Sequence, residues 1–423
     1  MDLRDIGAMG KAATLDGMLE RASAADMVLP HAAPSSSLAV SATTTHSIEE
    51  VEPLWRRLEA QGIESPGQSF DFIRQWIAAR RIPATEQLYV VGSVGGQPVA
   101  LLPLHRHRMR GIRLYSWFPG SHVGCGAPLI DRVRFAALGT AARAAFWKTL
   151  FSALKGADLV YLRAVPEMAY GLEQPFAELG RWLPTETLYR ASFSSWEQAN
   201  TTQRSKSRRK HDRQQGERLE AMGAVSFAVV EGDDPAAPDA LDAMFRQRAV
   251  RFKVMGVDDP FCSEDIARFY DASVEPGSKM RVKLHVLRLD GAIVAVRYNI
   301  VHGDRLFCLI SSMSDDPKIQ VGSPGKQCLL RVMQTVFDEG YRVFDMGGGF
   351  TDEKRHWCNE QIGLRSHYLP LTLLGHMVIE AHSVWLSLRS KVKDNVTLLK
   401  WAKAMRTKLR KVPAVTAAES EQE

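Results

Sequence analysis

Residues 280–357 read MRVKLHVLRLDGAIVAVRYNIVHGDRLFCLISSMSDDPKIQVGSPGKQCLLRVMQTVFDEGYRVFDMGGGFTDEKRHW. Two apolar runs flank Asp290-Gly291, a pair suited to the positive φ of a two-residue hairpin turn, and His302-Gly303-Asp304 turns the chain into a third run, RLFCLISS. Leu329, Leu330, Met333, Val336 and Phe337 then recur at helical spacing until Gly340. The next apolar run, Tyr341 to Asp345, leads straight into Gly347-Gly348-Gly349. A strand, a helix and a strand with so little connecting chain predict a parallel pair joined by a right-handed crossover. Such units take ligands at the carboxyl ends of their strands, here Ser311 to Asp316 and Asp345 to Gly349, and at a Gly-rich helix start such as Gly322 to Gly325.

The same order occurs earlier in the chain. Residues 89–117, YVVGSVGGQPVALLPLHRHRMRGIRLYSW, match residues 285–311 in character: strand, glycine turn, a Val-Ala strand, a break, then a strand beginning Arg-Leu. A helix through Ala142, Ala145, Phe146, Leu150 and Leu154, then Gly156 and the strand Asp158 to Leu162, complete the first copy. Two like units in tandem follow from this pattern. They differ where chemistry would occur, because the first copy ends in Leu162-Arg163-Ala164-Val165-Pro166 and offers side chains where the second offers glycines. The ligand is therefore expected in the second copy. The first is expected to shape an acceptor cleft, with Gly120, His122, Gly124 and Cys125 either contributing to it or forming a buried turn.

Composition sets the outer bounds. The chain has 423 residues, 45% of them hydrophobic, enough for two or three domains with real cores, and a net charge of +6 that excludes no partner class. Five scattered cysteines without C-x-x-C or zinc spacing predict free thiols and no metal. The first residues lack an apolar signal core, and Leu369 to Leu388 is broken by His376, Glu380 and His382, so a cytoplasmic protein is expected, peripheral at most to a membrane. The expected organisation is a disordered tail over 1–45, a first domain over 46–190, a second over 191–372, basic amphipathic helices over 373–412 and a disordered tail over 413–423. Helices are predicted at Phe70 to Ala79, at Ala240 to Ala249 with Asp239 as cap, and at Ser263 to Tyr270. Arg204, Lys206, Arg208, Arg209, Lys210, His211, Arg213 and Arg218 form the densest charge run, read as a solvated helix face or a phosphate-docking surface. No aromatic residue interrupts it between Thr201 and Gly223, which argues against single-strand recognition. The basic 373–412 segment suits either a membrane surface or packing on its own domain.

Ser323-Pro324-Gly325-x-x-x-Leu329-Leu330, Gly340, Asp345-Met346-Gly347-Gly348-Gly349 and Lys354-Arg355-x-Trp357 together resemble the signature of the CelD-like, or BioF-like, acetyltransferases of the GNAT superfamily. The resemblance spans about Trp55 to Tyr368 and departs from the family at Glu353, where an aromatic is usual, and at Phe350, where acidic residues are usual. It implies an α/β fold with a mixed twisted sheet of GNAT type in two tandem GNAT-like domains, related to the FemAB transferases. It implies acyl transfer from acetyl-CoA or another acyl-CoA to an amine or hydroxyl of a small molecule or glycan precursor. The cofactor would then run along Ser311, Ser312, Met313, Gly347 and Gly349, with Gly322, Ser323, Gly325 and Lys326 near its diphosphate. Gln320-x-Gly322-x-x-Gly325 matches the usual diphosphate motif only loosely.

Asp345 is the first catalytic candidate, as a strand-end carboxylate that orients or deprotonates the acceptor, and Lys354 the second, as a charge for an anionic substrate or an oxyanion. Their alternative roles are a carboxylate fixing the glycine loop and a lysine paired with Asp352 or Glu353. Tyr298 on the central strand is a third candidate. Two other functions remain open. One is a FemAB-type transferase using charged tRNA, the only nucleic acid expected. The other is a non-catalytic accessory protein of a membrane polysaccharide synthase.

Overall fold

The structure is a computed structural model that describes residues 39–394 apart from 257, 258, 260 and 262, with side-chain environments to Trp385. Of the tail expected over 1–45, residues 40–45 form a strand instead; the rest of it, the end of the basic segment expected over 373–412 and the tail expected over 413–423 fall in residues 1–38 and 395–423, outside the described residues. The first repeat contains β1 (Val40–Thr45), α1 (Ile48–Glu59), α2 (Phe70–Ala79), β2 (Gln87–Val94), β3 (Gln97–Met109), β4 (Ile112–Ser116), a short β5 (Leu129–Ile130), α3 (Arg132–Ala136), α4 (Thr140–Ser152) and β6 (Leu159–Pro166). A small hairpin, β7 (Met168–Ala169) and β8 (Leu172–Glu173), precedes β9 (Arg181–Ser192), and two helices follow, α5 (Trp196–Gln203) and α6 (Lys206–Glu220). The second repeat has β10 (Val225–Glu231), α7 (Ala237–Met255), α8 (Glu264–Ser273), β11 (Val282–Leu289), β12 (Ala292–His302), β13 (Arg305–Met313), α9 (Pro317–Gln320), α10 (Pro324–Asp338), β14 (Val343–Gly348), α11 (Asp352–Trp357), β15 (Glu360–Pro370) and α12 (Leu373–Asp394).

Local chemistry explains most boundaries. Ser47 and Ser205 accept the N–H of Glu50 and Arg208 and so start α1 and α6. Asp290-Gly291 makes the β11–β12 turn with both residues at positive φ. The helix expected at 240–249 runs instead from Ala237 to Met255, because nothing in the Arg251-Phe252-Lys253-Val254-Met255 run stops it before the left-handed Gly256; its cap position is Ala236, with Asp239 in the first turn. The first-copy strand begins at Leu159 and continues past Leu162 to Pro166.

One mixed sheet carries the whole assembly, in the order β1-β2-β3-β4-β6-β15-β9-β14-β13-β12-β11-β10, with β5 paired to β3. It is an α/β fold with a mixed sheet, as expected from the resemblance. Each repeat has an antiparallel run ending in one parallel pair, β4 with β6 and β13 with β14. The last strands are exchanged: β9 of the first repeat pairs with β14 of the second, β15 of the second pairs with β6 of the first, and β9 and β15 pair with each other. The sheet is thus continuous across the residue 190/191 division, and the described residues 39–394 belong to one compact unit.

Helices α1, α2, α7 and α8 cover one region of the sheet, where Trp55, Trp76, Phe269 and Tyr270 are buried. Helix α4 packs Phe146, Trp147 and Leu150 onto the first repeat, and α10 packs Leu329, Val332, Met333 and Val336 onto the second.

Candidate active site

The parallel pair β13 and β14 is hydrogen-bonded over three residue pairs, Arg305–Phe307 against Val343–Asp345. Beyond them the strands part. On β13 the register against β12 skips Leu309, so a bulge lies at the point of separation, a device that re-aims strand groups beside active sites. On β14 the chain leaves β13, skips Met346 and Gly347 in its pairing with β9, and rejoins it at Gly348. Gly347 and Gly349 both have positive φ, which the turn requires of them.

The opening between the parted strands has a volume of about 190 Å³. The second repeat supplies Cys308, Leu309, Met346, Gly347, Gly348 and Lys354; the first supplies Ser121 to Gly124 and Arg163, and Glu186 comes from the exchanged strand β9. Gly124 allows this meeting, since a Cβ there would lie 2.9 Å from the Cα of Gly347. Gly348 does the same for Glu186, whose Cδ would lie 3.0 Å from an added Cβ.

Arg163, Glu186, Lys354 and His122 face this space beside the Cys308 thiol. Glu186 accepts from Arg163 Nη2 at 2.7 Å, with both side chains about one-third exposed. Lys354 sits one turn into α11, whose start is capped by Thr351, and its Nζ donates to the carbonyls of Gly348 at 2.6 Å and Gly347 at 3.3 Å. Burial lowers the Lys354 pKa, against the pull of Cys308, Asp345, Cys358 and Glu186. His122 lies between the rings of Trp76 and Phe261; burial, with Arg80 adding to it, pushes its pKa down to about 4, so the imidazole is neutral at pH 7.

The other residues expected to act lie apart from this opening or beneath it. Asp345 is 4% exposed and both its oxygens are engaged: Oδ2 accepts from Arg190 Nε at 2.7 Å and Oδ1 from the Gly347 N–H at 2.8 Å. It therefore fixes the glycine turn and presents no free oxygen to an acceptor. Tyr298 is fully buried on the α7–α8 side, donating to Ser273 Oγ at 2.7 Å with its ring edge on Tyr270, and it does not line the opening. Ser312 is buried and donates to Gln247 of α7, whereas Ser311 is exposed beside the parted strands.

At the start of α10 the expected diphosphate cradle is filled by the chain itself. A Cβ on Gly322 would strike Leu219 of α6 at 2.7 Å, and one on Gly325 would strike Met313 Sδ at 2.8 Å, so these glycines serve packing. The N–H groups of Gly322, Ser323, Lys326 and Gln327 donate to Ile319, Gln320 and Ser323 carbonyls. A helix start normally leaves four N–H groups free; here Pro324 has none and those of Ser323 and Lys326 are paired, which leaves the Gly325 N–H. Lys326 remains as a charge near the turn.

Sequence reasoning located Lys354 and the glycine loop, and named His122 and Gly124 without assigning them. It missed Glu186, whose Pro184-Thr185-Glu186-Thr187 context carries no motif. Strand exchange alone brings it to the site. The Lys-Arg-x-Trp segment also divides in role, since Trp357 is buried, stacked on Trp196 and covered by the Arg204 guanidinium at 4.9 Å. Glu353, where the family usually has an aromatic, pairs with the buried Arg297 at 3.4 Å. Among the described residues no cluster of three or more His, Cys, Asp or Glu is arranged to hold a metal, and Cys125, Cys308, Cys328 and Cys358 are free thiols.

Residues 206–355 match the family model described as an acetyltransferase (GNAT) domain, about a third of the chain, including β13, α10, β14 and Lys354. No curated protein matches the chain significantly. Similar solved structures include the C-terminal DUF2156 domain of an Agrobacterium fabrum protein, at 13% identity over 79% of this chain and 96% of that one, with a TM-score of 0.48. FemX is similar at 11% identity over 71% of this chain and 97% of its own, TM-score 0.45. A tandem GNAT protein from the clavulanic acid biosynthesis pathway is similar at 12% identity over 79% and 98%, TM-score 0.41.

Proposed function

We propose that the chain transfers an acyl group from a thioester donor, acyl-CoA in the first instance, to an amine or hydroxyl acceptor at the opening between β13 and β14. The observation that carries this reading is the parting of the strands after three residue pairs, with a bulge at Leu309 on one side and a glycine turn on the other. Parted strands leave main-chain N–H and C=O groups without a strand partner, and these can hold the donor's amide-bearing arm and meet the developing oxyanion. The match of residues 206–355 to a GNAT acetyltransferase domain supports the same chemistry.

In this reading the acceptor enters from the first-repeat side, between Ser121–Gly124 and Glu186. Its nucleophilic atom attacks the thioester carbonyl, the C–S bond breaks, and the thiolate leaves while the acceptor's proton passes to the Glu186 carboxylate. Lys354 holds the Gly347 and Gly348 carbonyls and so fixes the turn on which the donor rests. Asp345 and Arg190 hold that turn from beneath, as positioning residues. The thioester end of acyl-CoA fits the residues present. The diphosphate end does not fit the start of α10, where Gly322 and Gly325 pack against Leu219 and Met313 and the Ser323 and Lys326 N–H groups are already paired.

The test is calorimetric titration with acetyl-CoA, followed by a thiol-release assay over amino-sugar, amine and hydroxyl acceptors. Acetyl-CoA should bind, and Lys326→Ala should change its affinity by less than about fivefold, because one partly exposed charge contributes about 1 kcal/mol or less. Glu186→Gln should lower kcat by about 10²–10⁴-fold, the usual contribution of a positioned proton acceptor, with donor affinity unchanged. Thiol release undiminished in Glu186→Gln would remove that residue from the reaction; absence of both acyl-CoA binding and thiol release would remove the reading.

A second donor is favoured by one observation. Arg204, Lys206, Arg209, Lys210, Arg213 and Arg331, against Asp212, Glu217 and Glu220, line a cleft of about 990 Å³ between α6 and α10, and its excess of cations suits a phosphate backbone. Transfer from aminoacyl-tRNA without acyl-CoA would establish that donor. The CelD-like resemblance directs the acceptor screen toward glycan precursors.

A further inference from the structure

Helix α12 is fixed on its inner face. Ile379 is buried, Gly375 lies so close to the Asp158 carbonyl that no Cβ would fit, His382 meets Tyr368, and Glu380 pairs with Arg181 of β9. The outer face is consequently committed to the exterior. It presents Leu373 at 79% exposure, Leu374 at 42%, Met377 at 57%, Val384 at 58% and Trp385 at 51%. With the exposed Ala381, at 3.6 residues per turn these fall within an arc of about 120° that contains no charged residue from Leu373 to Trp385. Monomeric proteins rarely expose so continuous an apolar stripe.

A second element reaches the same side. The β3–β4 hairpin tip carries Arg108, Met109 and Arg110, all exposed, with Met109 at 56%. Met109, Arg110 and Ile112 face Val378, Ile379 and His382 of α12 across an apolar cavity of about 450 Å³. Arg389, Lys391 and Lys393 fall in the last turns of α12, and residues 389–411 hold nine basic residues against one acidic, a net +8. The whole chain is +6, so the remainder sums to −2.

We infer that α12 and the β3–β4 tip form a docking surface for a bilayer bearing anionic phospholipid headgroups. Apolar side chains flanked by Arg and Lys are what lies in such an interface, the stripe in the acyl boundary and the cations among the headgroups. Self-pairing through this face would bring together two copies of Arg108 and Arg110 and of the basic end of α12, so charge disfavours a second copy as the occupant. No helix among the described residues is long and apolar enough to cross the membrane, so the contact is with its surface. The inference is independent of the proposed acyl transfer.

Co-sedimentation with vesicles of phosphatidylcholine, alone and mixed with phosphatidylglycerol, tests it on the full chain. Partition onto the mixed vesicles should exceed that onto neutral ones by at least about tenfold and fall with added salt. Met377→Asp with Val384→Asp should abolish it; both side chains are exposed, so melting should be unchanged. Arg108→Glu with Arg110→Glu should weaken binding to the mixed vesicles alone. Bromine placed high on the acyl chains should quench tryptophan emission of the wild-type protein. Absence of binding to mixed vesicles, binding unchanged by the paired aspartates, or a dimer that these aspartates dissociate without any lipid binding would each overturn the inference.

Discussion

Arg190→Ala is expected to lower the unfolding free energy by about 3–5 kcal/mol, the usual consequence of removing one partner from a buried ion network. Arg190 is 4% exposed and donates to Asp345 at 2.7 Å, to Glu64 Oε2 at 2.7 Å and to the Glu64 carbonyl at 2.8 Å. Glu64 also accepts from Arg305 at 3.2 Å and from the Tyr170 N–H at 2.6 Å. Without Arg190, Glu64 keeps a cation, whereas Asp345 keeps only the Gly347 N–H. Burial pushes the Glu64 pKa up, but Arg190, Arg305 and the Tyr170 N–H outweigh it and the net direction is down. Urea unfolding measures the loss. Arg190→Met should lose about as much, since charge and not volume is at issue, while Glu64→Gln, Arg190→Met and Asp345→Asn combined should recover most of it. A loss below about 1 kcal/mol in the single variants would show that the network contributes nothing. Since the network joins the 62–65 segment, β9, β13 and β14, acyl transfer should fail in the same variants.

Acidification is expected to cost several kcal/mol between about pH 6.5 and pH 4. Burial pushes His105, His122 and His367 down to about 4 and His285 to about 3, aided by neighbouring cations: Arg80 at His105 and His122, Arg365 at His367, Lys283 and Arg297 at His285. Each titrates near about 6.5 in an unfolded chain. Between the two values the unfolded chain takes up protons that the folded chain refuses, so stability is lost as pH falls from 6.5 toward 4. Glu59 and Asp271 oppose this, because burial raises their pKa and their protonation relieves the folded state. Four histidines at about 1.36 kcal/mol per unit outweigh two carboxyls. Below that window the depressed Glu64 adds its own loss. Unfolding free energy measured from pH 7.5 to 4.5 should decline steadily, and His285→Gln should flatten the slope. A profile level across that range would refute the assignment.

The periodic segments were legible in the sequence because each depends on neighbours close along the chain. Asp290-Gly291 dictated a hairpin, Leu329 to Phe337 a helix and Gly347 to Gly349 a turn, and all three stand where spacing put them. The repeat was legible for the same reason, β2-β3-β4-α4-β6 answering β11-β12-β13-α10-β14. Helix ends that need a stop signal were harder to place, as α7 shows by running on to Gly256.

By itself, then, the sequence determined two units of strand, helix and strand, the glycine turn after the second, and a strongly cationic C-terminal segment; periodicity and turn chemistry act within a few residues and need no partner. Tertiary structure decided which side chains meet at that turn. Exchange of β9 and β15 carries Glu186 into the second repeat's site, and the approach of Gly124 to Gly347 brings a loop from more than two hundred residues earlier over the opening. It also decided that Asp345 answers Arg190, that Gly322 and Gly325 answer Leu219 and Met313, and that the apolar stripe of α12 faces outward. Each of those outcomes rests on contacts between segments distant in the chain, where a residue's type leaves its partner open and only packing and charge pairing in the folded chain choose it.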